Sequence, residues 1–168
     1  MKKIALMLAS GLMISAAALA QSPKLGYINS RELLEMMPEI KKADSNLQLY
    51  AKSFQDQLQE MSKEFEKKGQ DYQAQEKTMT DAVKEVKMKE LQDLQNRIET
   101  TNQSAQDKVS KKKEELYSPI LDKADKAIKE VAKEKGYDYV FDASAGMLLY
   151  AKDGDNILAL VKQKLNIK

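Results

Sequence analysis

The chain has 168 residues with 28 basic and 26 acidic side chains, and it contains no cysteine, histidine or tryptophan. The missing cysteines exclude disulfide staples and thiol chemistry, and the missing histidines remove the commonest general base and metal ligand. The balanced charge gives no basic surplus for nucleic acid, so composition favours a function of shape and surface over catalysis.

Residues 1–20 have the pattern of a secretory signal peptide. A basic start precedes an apolar run, and Ala18-Leu19-Ala20 fits cleavage before Gln21. The run is shorter than the ~20 residues that a spanning helix needs, so export with cleavage is favoured over a membrane anchor. Loss of the leader removes Lys2 and Lys3 and leaves 26 basic and 26 acidic residues.

The next segment predicts a strand and a short helix. Residues 24–29 are short and rich in residues typical of strands. Ser30 is expected to cap a helix through Met37, because its hydroxyl can accept from the free amides of a first turn. Pro38 suits the first position of the following helix, where its missing amide hydrogen costs nothing.

Residues 39–118 predict one long helix or a pair of helices. This stretch has no proline and one glycine, Gly69, and its apolar residues recur at alternating steps of three and four. Such a heptad repeat is typical of helices that pack along a narrow seam. The descending seam consists of Leu47, Ala51, Phe54, Leu58, Met61, Phe65, Lys68, Tyr72, Gln75 and Met79, and it becomes more polar toward its end.

A reversal is expected at Thr78-Met79-Thr80-Asp81, where a threonine followed by Asp81 resembles a capping box. The ascending seam then contains Leu91, Leu94, Ile98, Thr101, Ala105, Val109, Leu116 and Ile120. Two helices of about forty residues, or ~60 Å each, would form an antiparallel hairpin because each stripe needs a partner. The alternative is one unbroken helix that dimerises with a neighbour.

The C-terminal part predicts a globular body. Pro119 is expected to kink the ascending helix, and Gly136 is expected to end it. Residues 137–141 predict a second strand, and residues 147–151 predict a third strand after a turn. Asp155 is expected to cap a final amphipathic helix.

The predicted fold is therefore α+β and mostly α. Residues 21–38 and 119–168 form a small body, from which residues 39–118 project as a helical hairpin. Three short strands bury little surface, so assembly through the sheet is expected to cover their edges. The strand residues expected to mediate this assembly are Leu25, Tyr27, Ile28, Tyr139, Val140, Phe141, Leu148, Leu149 and Tyr150.

This layout resembles the Skp/OmpH family of periplasmic chaperones. The resemblance is carried by the leader, residues 24–29, the charged hairpin, Ser118-Pro119-Ile120, residues 136–142 and the closing helix that begins at Asp155. It implies a jellyfish-like homotrimer of the mature, periplasmic chain, with three hairpins as tentacles around a cavity. It also implies that unfolded outer-membrane β-barrel proteins are held there without ATP, and that no cofactor or metal is needed.

The arms themselves suggest which residues contact an unfolded client. Methionine and scattered exposed apolar side chains adapt to varied partners. The candidates are Leu49, Tyr50, Tyr72, Met79, Val83, Val86 and Met88. Packing within the hairpin is the competing interpretation for all of them, and the favoured one for the seam residues Phe54, Leu58, Phe65, Leu91, Leu94 and Ile98.

Two other functions remain as alternatives. A structural coiled-coil spacer or envelope adaptor would use the same helices with one fixed partner. An enzyme is disfavoured, because turns and caps account for the acidic residues Asp138, Asp142, Asp153 and Asp155. Residues 40–118 carry fifteen basic and fifteen acidic side chains, unlike the basic members of the family. Contact with a membrane or with anionic lipopolysaccharide therefore does not follow from the resemblance.

Overall fold

The computed structural model describes residues 22–167, and the predicted signal peptide lies outside this range. The elements in chain order are β1 (Leu25–Ile28), α1 (Ser30–Met36), α2 (Pro38–Gln75), α3 (Asp81–Lys135), β2 (Tyr139–Asp142) and α4 (Leu158–Lys164). Short 3-10 turns occupy Glu76–Thr78 and Asp153–Asp155. The chain is mostly helical with one small sheet, as the sequence predicts.

Helices α2 and α3 form the predicted antiparallel hairpin, not one unbroken helix. Helix α2 has 38 residues and begins at Pro38, and the reversal follows at residues 76–80. Helix α3 has 55 residues because it continues beyond the hairpin into the body. Its part within the hairpin, residues 81–118, is similar in length to α2, as expected.

Pro119 lies inside α3 without ending it. Proline removes one amide donor, but the helical bonds on either side of it remain. Residues on both sides pack against other elements, since Ala105 is buried in the hairpin and Ile120, Ala124 and Ala127 are buried in the body. The helix therefore runs through Pro119 to Lys135, in agreement with the stop expected at Gly136.

The helix termini confirm one predicted cap and correct three. Gly136 ends α3 in the left-handed region with φ 69°, as expected of a glycine stop. Asn29, not Ser30, caps α1 by accepting a hydrogen bond from the Glu32 amide. Thr80 precedes α3 without a side-chain cap, and α4 follows Ile157, so Asp155 does not cap it either.

The body joins the two ends of the described chain. Strands β1 and β2 pair in parallel with Leu25 opposite Tyr139 and Ile28 opposite Asp142. Behind the sheet, α1 and α4 pack with the ends of the long helices around one apolar core. That core contains Ile28, Leu33, Met37, Ala43, Ile120, Ala124, Ala127, Val131, Ile157 and Val161.

The prediction of a strand at residues 147–151 is wrong. Within the described chain this segment, including Leu148, Leu149 and Tyr150, forms no strand pairing, and the sheet has two strands. The residues have strand propensity, but a strand also needs a partner with free backbone groups. The edge of β1 that faces away from β2 already has a hydrogen-bond partner, because the Ile157 amide donates to the Tyr27 carbonyl at 2.9 Å.

Candidate functional site

The hairpin exposes apolar side chains on a polar arm. Of the seven predicted contact residues, Leu49, Val83, Val86 and Met88 are exposed. Tyr50, Tyr72 and Met79 are half-buried, and the Tyr50 ring packs edge-on against Phe54 with centroids 5.0 Å apart. Four predicted residues are thus free to meet another molecule, whereas the other three also contribute to packing.

Two grooves between α2 and α3 were not foreseen from the sequence. A groove of about 560 Å³ lies midway along the arm, with Ala51, Phe54, Leu58 and Val109 in its lining. A second groove of about 1070 Å³ lies nearer the tip, with Phe65, Tyr72, Met88 and Leu91 in its lining. We define these as the middle groove and the tip groove.

Small and large apolar residues share the seam at the middle groove. Ala51 and Ala105 line this groove together with Phe54, Leu58 and Val109. The heptad spacing favours packing within the hairpin for Phe54, Leu58 and Phe65 and does not predict that they line a groove. The signal that could have revealed the grooves is this alternation of alanine and large apolar residues along one seam.

Polar contacts cross between the two helices. Near the body, the Tyr117 hydroxyl donates a hydrogen bond to Asp44, and this bond raises the pKa of Tyr117. Midway, the Lys108 ammonium lies 5.7 Å from the centroid of the Phe54 ring. Toward the tip, Lys68 pairs with Glu90 at 3.6 Å.

Glu90 also meets a base on its own helix. Lys87 contacts its carboxylate at 3.2 Å. The pKa of Glu90 is lowered first by its hydrogen bond with Lys87 and the charge of that residue, and then by Lys68. Near the tip, the Lys68–Glu90 ion pair thus joins the two helices where the apolar seam becomes thinner.

The sheet of the body presents an apolar outer face. Leu25, Tyr139 and Phe141 alternate outward along the two strands and are exposed, and Tyr27 is half-buried. The other two predicted assembly residues on the strands, Ile28 and Val140, belong to the internal core and the residues packed against it. The sheet thus divides the predicted set into an exposed group and an internal group.

The inner side of the sheet is closely packed at Gly26. A Cβ atom at this position would lie 3.0 Å from the Tyr137 ring and 3.3 Å from the Ile157 side chain. Such distances leave no room for a side chain without movement of its neighbours. Glycine therefore lets β1 approach the core and keeps the apolar residues of its outer face in register.

The segment after β2 adds a second exposed apolar surface. Met147 is 82% exposed, Leu149 is 95% exposed and Tyr150 is 81% exposed, whereas Leu148 is half-buried. Consecutive large apolar residues in water are unfavourable for an isolated chain, and such patches mark interaction sites. This segment and the outer sheet face together form what we call the assembly surface.

Two acidic residues of the body, Asp138 and Asp142, have structural partners. Asp138 accepts from the Lys24 backbone amide at 2.6 Å. Asp142 accepts from the Ser30 hydroxyl at 2.6 Å and from the Ser144 amide at 2.9 Å. Burial of the Asp142 carboxyl raises its pKa, but hydrogen bonds from Ser30 and Ser144 outweigh this effect and hold the pKa at about 2.

Neither a cluster of metal ligands nor a membrane-spanning helix occurs among residues 22–167. Among residues 22–167, no three acidic side chains gather closely enough to hold a metal ion. No helix in the same range combines the length and the apolar character needed to cross a bilayer. What the geometry does provide is a polar arm with apolar grooves and a body with an uncovered apolar surface.

Comparison with known proteins relates the whole described chain to one group. The family model described as "Outer membrane protein (OmpH-like)" matches residues 24–165. Chaperone protein Skp of Yersinia enterocolitica is 26% identical over 165 residues, covering 98% of this chain and 99% of that protein. Chaperone protein Skp of Photorhabdus luminescens is 27% identical over 166 residues, with coverage of 98% and 99%.

A solved structure shares the fold. The crystal structure described as an OmpH-like outer membrane chaperone from Caulobacter crescentus CB15 superposes with a TM-score of 0.75 at 18% sequence identity. The match covers 86% of this chain and 85% of that chain. At this identity the similarity establishes a common architecture of hairpin and body.

Proposed function

Because this chain belongs to the OmpH-like outer membrane protein family, we propose that it is a periplasmic chaperone that holds unfolded outer-membrane β-barrel proteins without ATP. The observation that carries the proposal is the family match over residues 24–165, which includes both the hairpin and the body. The chaperone role is supported by relatives from Yersinia and Photorhabdus that are named chaperones.

The surface of the arm suits a holdase. An unfolded barrel protein carries alternating apolar residues that aggregate in water, so it needs many weak apolar contacts inside a polar shell. The grooves supply apolar contact area, and exposed Val83, Val86 and Met88 supply more near the tip. Weak contacts on several arms add up through a high effective concentration, so a tethered client would be held firmly yet released without ATP.

We also propose that the working form is a homotrimer assembled through the body. The assembly surface carries large apolar residues that no other part of the described chain covers, and its most exposed members are Leu149, Met147 and Tyr150. Covering it with other copies would remove apolar area from water and protect the strand edge. Three hairpins projecting from one body would then enclose a cavity.

The proposed location is the periplasm. Residues 1–20 carry the sequence pattern of a cleaved leader. The mature chain has no cysteine, so the proposal needs no disulfide formation after export. Outer-membrane proteins cross this compartment unfolded, which makes it the place where such a holdase is useful.

Aggregation suppression tests this function against the adaptor alternative. Several unrelated outer-membrane barrel proteins, unfolded in urea, are diluted into buffer with and without the mature protein, in the absence of ATP. We expect light scattering to fall for all of them at near-stoichiometric amounts of the chaperone. Protection of none, or of a single protein, would instead favour a dedicated adaptor with one partner.

A further inference from the structure

We propose that Met88, near the tip of the arm, is an oxidation site through which a peroxide reversibly weakens the hold of the arm on an unfolded client. The site takes a two-electron oxidant of the peroxide class, of which hydrogen peroxide is the simplest member. This inference rests on the proposed function and goes beyond it, because it assigns a covalent modification and a means of regulation to one residue.

Methionine provides all the sulfur chemistry of this chain. The sequence has nine methionines and no cysteine, so a thioether is the only sulfur group that an oxidant can attack. Oxidation of a thioether depends on access of the oxidant to the sulfur atom, and exposure therefore decides which methionine reacts. The structure describes six of the nine, namely Met36, Met37, Met61, Met79, Met88 and Met147.

These methionines differ widely in exposure. Met37 is 0% exposed in the core of the body, whereas Met88 is 59% exposed on the arm. The two other methionines of the hairpin are half-buried, and Met36 is 37% exposed at the base of the arm. Met147 is 82% exposed in the single chain, but it lies on the assembly surface, which the proposed trimer would cover. Among residues 22–167, Met88 is thus the thioether that an assembled arm presents most openly.

The oxidation adds one oxygen atom to the sulfur of Met88. A lone pair of the thioether attacks one oxygen of hydrogen peroxide, the O–O bond breaks, and the products are a sulfoxide and water. Two electrons pass from sulfur to the peroxide. The reverse step removes the oxygen as water with two electrons from two thiols, which form a disulfide, as in methionine sulfoxide reductases. Because this chain has no cysteine, another protein has to supply those thiols.

The surroundings of Met88 can accommodate the oxidised form. Met88 lines the tip groove, whose lining is charged as well as apolar and includes Lys84, Lys89 and Gln92. Lys84 and Gln92 lie four residues before and after Met88, so the three side chains share one face of α3. Ammonium and amide N–H groups can donate to a sulfoxide oxygen. Oxidation therefore adds a polar group that the arm can bind without unfolding.

Oxidation changes what Met88 offers to a client. The reduced side chain is flexible and apolar and adapts to varied partners, whereas the sulfoxide is polar. Val83 and Val86 are exposed nearby and have no oxidisable atom, so part of the apolar contact area near the tip remains. The expected effect is a partial and reversible loss of affinity rather than release of the client.

Peptide mass spectrometry tests the modification site. The mature protein is incubated with hydrogen peroxide, and the added oxygen is measured at each methionine over time. We expect Met88 to be oxidised at least about tenfold faster than Met37, because Met37 is buried in the body. Equal rates at Met88 and Met37 would overturn the assignment of the site.

Client affinity before and after oxidation tests the regulation. The peroxide is removed before a urea-unfolded outer-membrane barrel protein is added, so the methionines of the client stay reduced. We expect oxidation to weaken the affinity of the unchanged protein by about threefold. A methionine sulfoxide reductase with a thiol reductant should restore it. Circular dichroism should show the same helical content in both forms, and a loss of helix that accompanies the weaker binding would overturn a contact role of Met88.

Matched variants assign the effect to one sulfur atom. Met88→Leu keeps an apolar side chain without sulfur, so peroxide treatment should leave the affinity of this variant nearly unchanged. Met36→Leu keeps Met88, so its affinity should fall by the same factor as that of the unchanged protein. Met88→Gln places a polar side chain at the site and should show the weaker affinity without any oxidant.

The outcomes separate the inference from the function on which it rests. An equal loss of affinity on oxidation of Met88→Leu and of the unchanged protein would overturn regulation through Met88, and so would no loss in the unchanged protein. Both results leave the chaperone function intact. If the reduced, unchanged protein binds none of the unfolded barrel proteins, the proposed function and its regulation are both wrong.

Discussion

The Ser30 hydroxyl donates a hydrogen bond of 2.6 Å to the Asp142 carboxylate and so joins residues 112 positions apart. Ser30 opens α1, and Asp142 ends β2, so this bond links the start of the body to the segment that follows the hairpin. The Ser30 amide and the Ser144 amide donate to the same carboxylate. These hydrogen bonds thus fix the start of α1 to the end of β2, directly before the exposed segment of the assembly surface.

Replacing this carboxylate should destabilise the body in a pH-dependent way. The pKa of Asp142 falls from 3.8 to about 2 on folding, so its stabilisation is complete above pH 4 and is lost as the pH falls through 2. Because the group is exposed to solvent, we expect Asp142→Asn to cost only about 1 kcal/mol at pH 7.

Urea unfolding of the unchanged protein and of Asp142→Asn at pH 7 and pH 2 measures this effect. Near pH 2 the difference between the two proteins should shrink, because the carboxyl is then about half protonated in the folded state and almost fully protonated in the unfolded state. A difference of the same size at both pH values would mean that the charge of Asp142 contributes nothing.

The sequence predicts local features of this fold better than those that depend on partners. The heptad spacing around Phe54 and Leu58 and the glycine stop at Gly136 depend on nearby residues, and both predict the structure correctly. The strand predicted at residues 147–151 is absent, because strand propensity alone does not provide a neighbouring strand with which the segment can pair. Likewise, Asn29 caps α1, and the Ser30 hydroxyl instead donates to the distant residue Asp142, a contact that local sequence does not predict.

The candidate site was predictable in its apolar character but not in its geometry. Composition and spacing identify Val83, Val86 and Met88 as exposed apolar residues on a polar arm, and the structure agrees. The grooves also depend on how the two helices pack across the hairpin. The alternation of alanine and large apolar residues indicates where a groove can form, but it does not give the distance between the helices.

Gly69→Ala should stabilise the arm. Gly69 lies inside α2, and a Cβ atom there would meet no other atom within 4 Å. Alanine would therefore add helix propensity without a clash and raise the free energy of unfolding by about 0.5–1 kcal/mol. Thermal unfolding followed by circular dichroism measures the gain.

Gly136→Ala is the matched control for this change. A Cβ atom at Gly136 also has free space, but φ is +69° there. Alanine in the left-handed region should therefore destabilise the protein by about 1 kcal/mol. If Gly136→Ala also stabilised the protein, the left-handed backbone conformation at the end of α3 would not favour glycine as expected.

Leu94→Ala should loosen the arm much more than Leu49→Ala. Leu94 is 4% exposed in the seam, whereas Leu49 is 68% exposed. Truncation of a buried leucine costs about 2–5 kcal/mol because it leaves a cavity, and truncation of an exposed one changes stability by less than about 0.5 kcal/mol. Amide hydrogen exchange along α2 and α3 shows where the helices lose stability. Equal protection in the two variants would contradict the assignment of Leu94 to the packed seam.

Leu149→Asp should prevent assembly, because Leu149 is 95% exposed in the isolated chain and lies on the proposed assembly surface. A buried aspartate without a partner is costly, so three copies of it would outweigh the apolar gain of the interface. Sedimentation velocity should show a trimer for the unchanged protein and for the control Leu49→Asp on the arm, but monomers for Leu149→Asp. Trimers of all three proteins would exclude Leu149 from the interface, and monomers of the unchanged protein at every concentration would overturn the trimer.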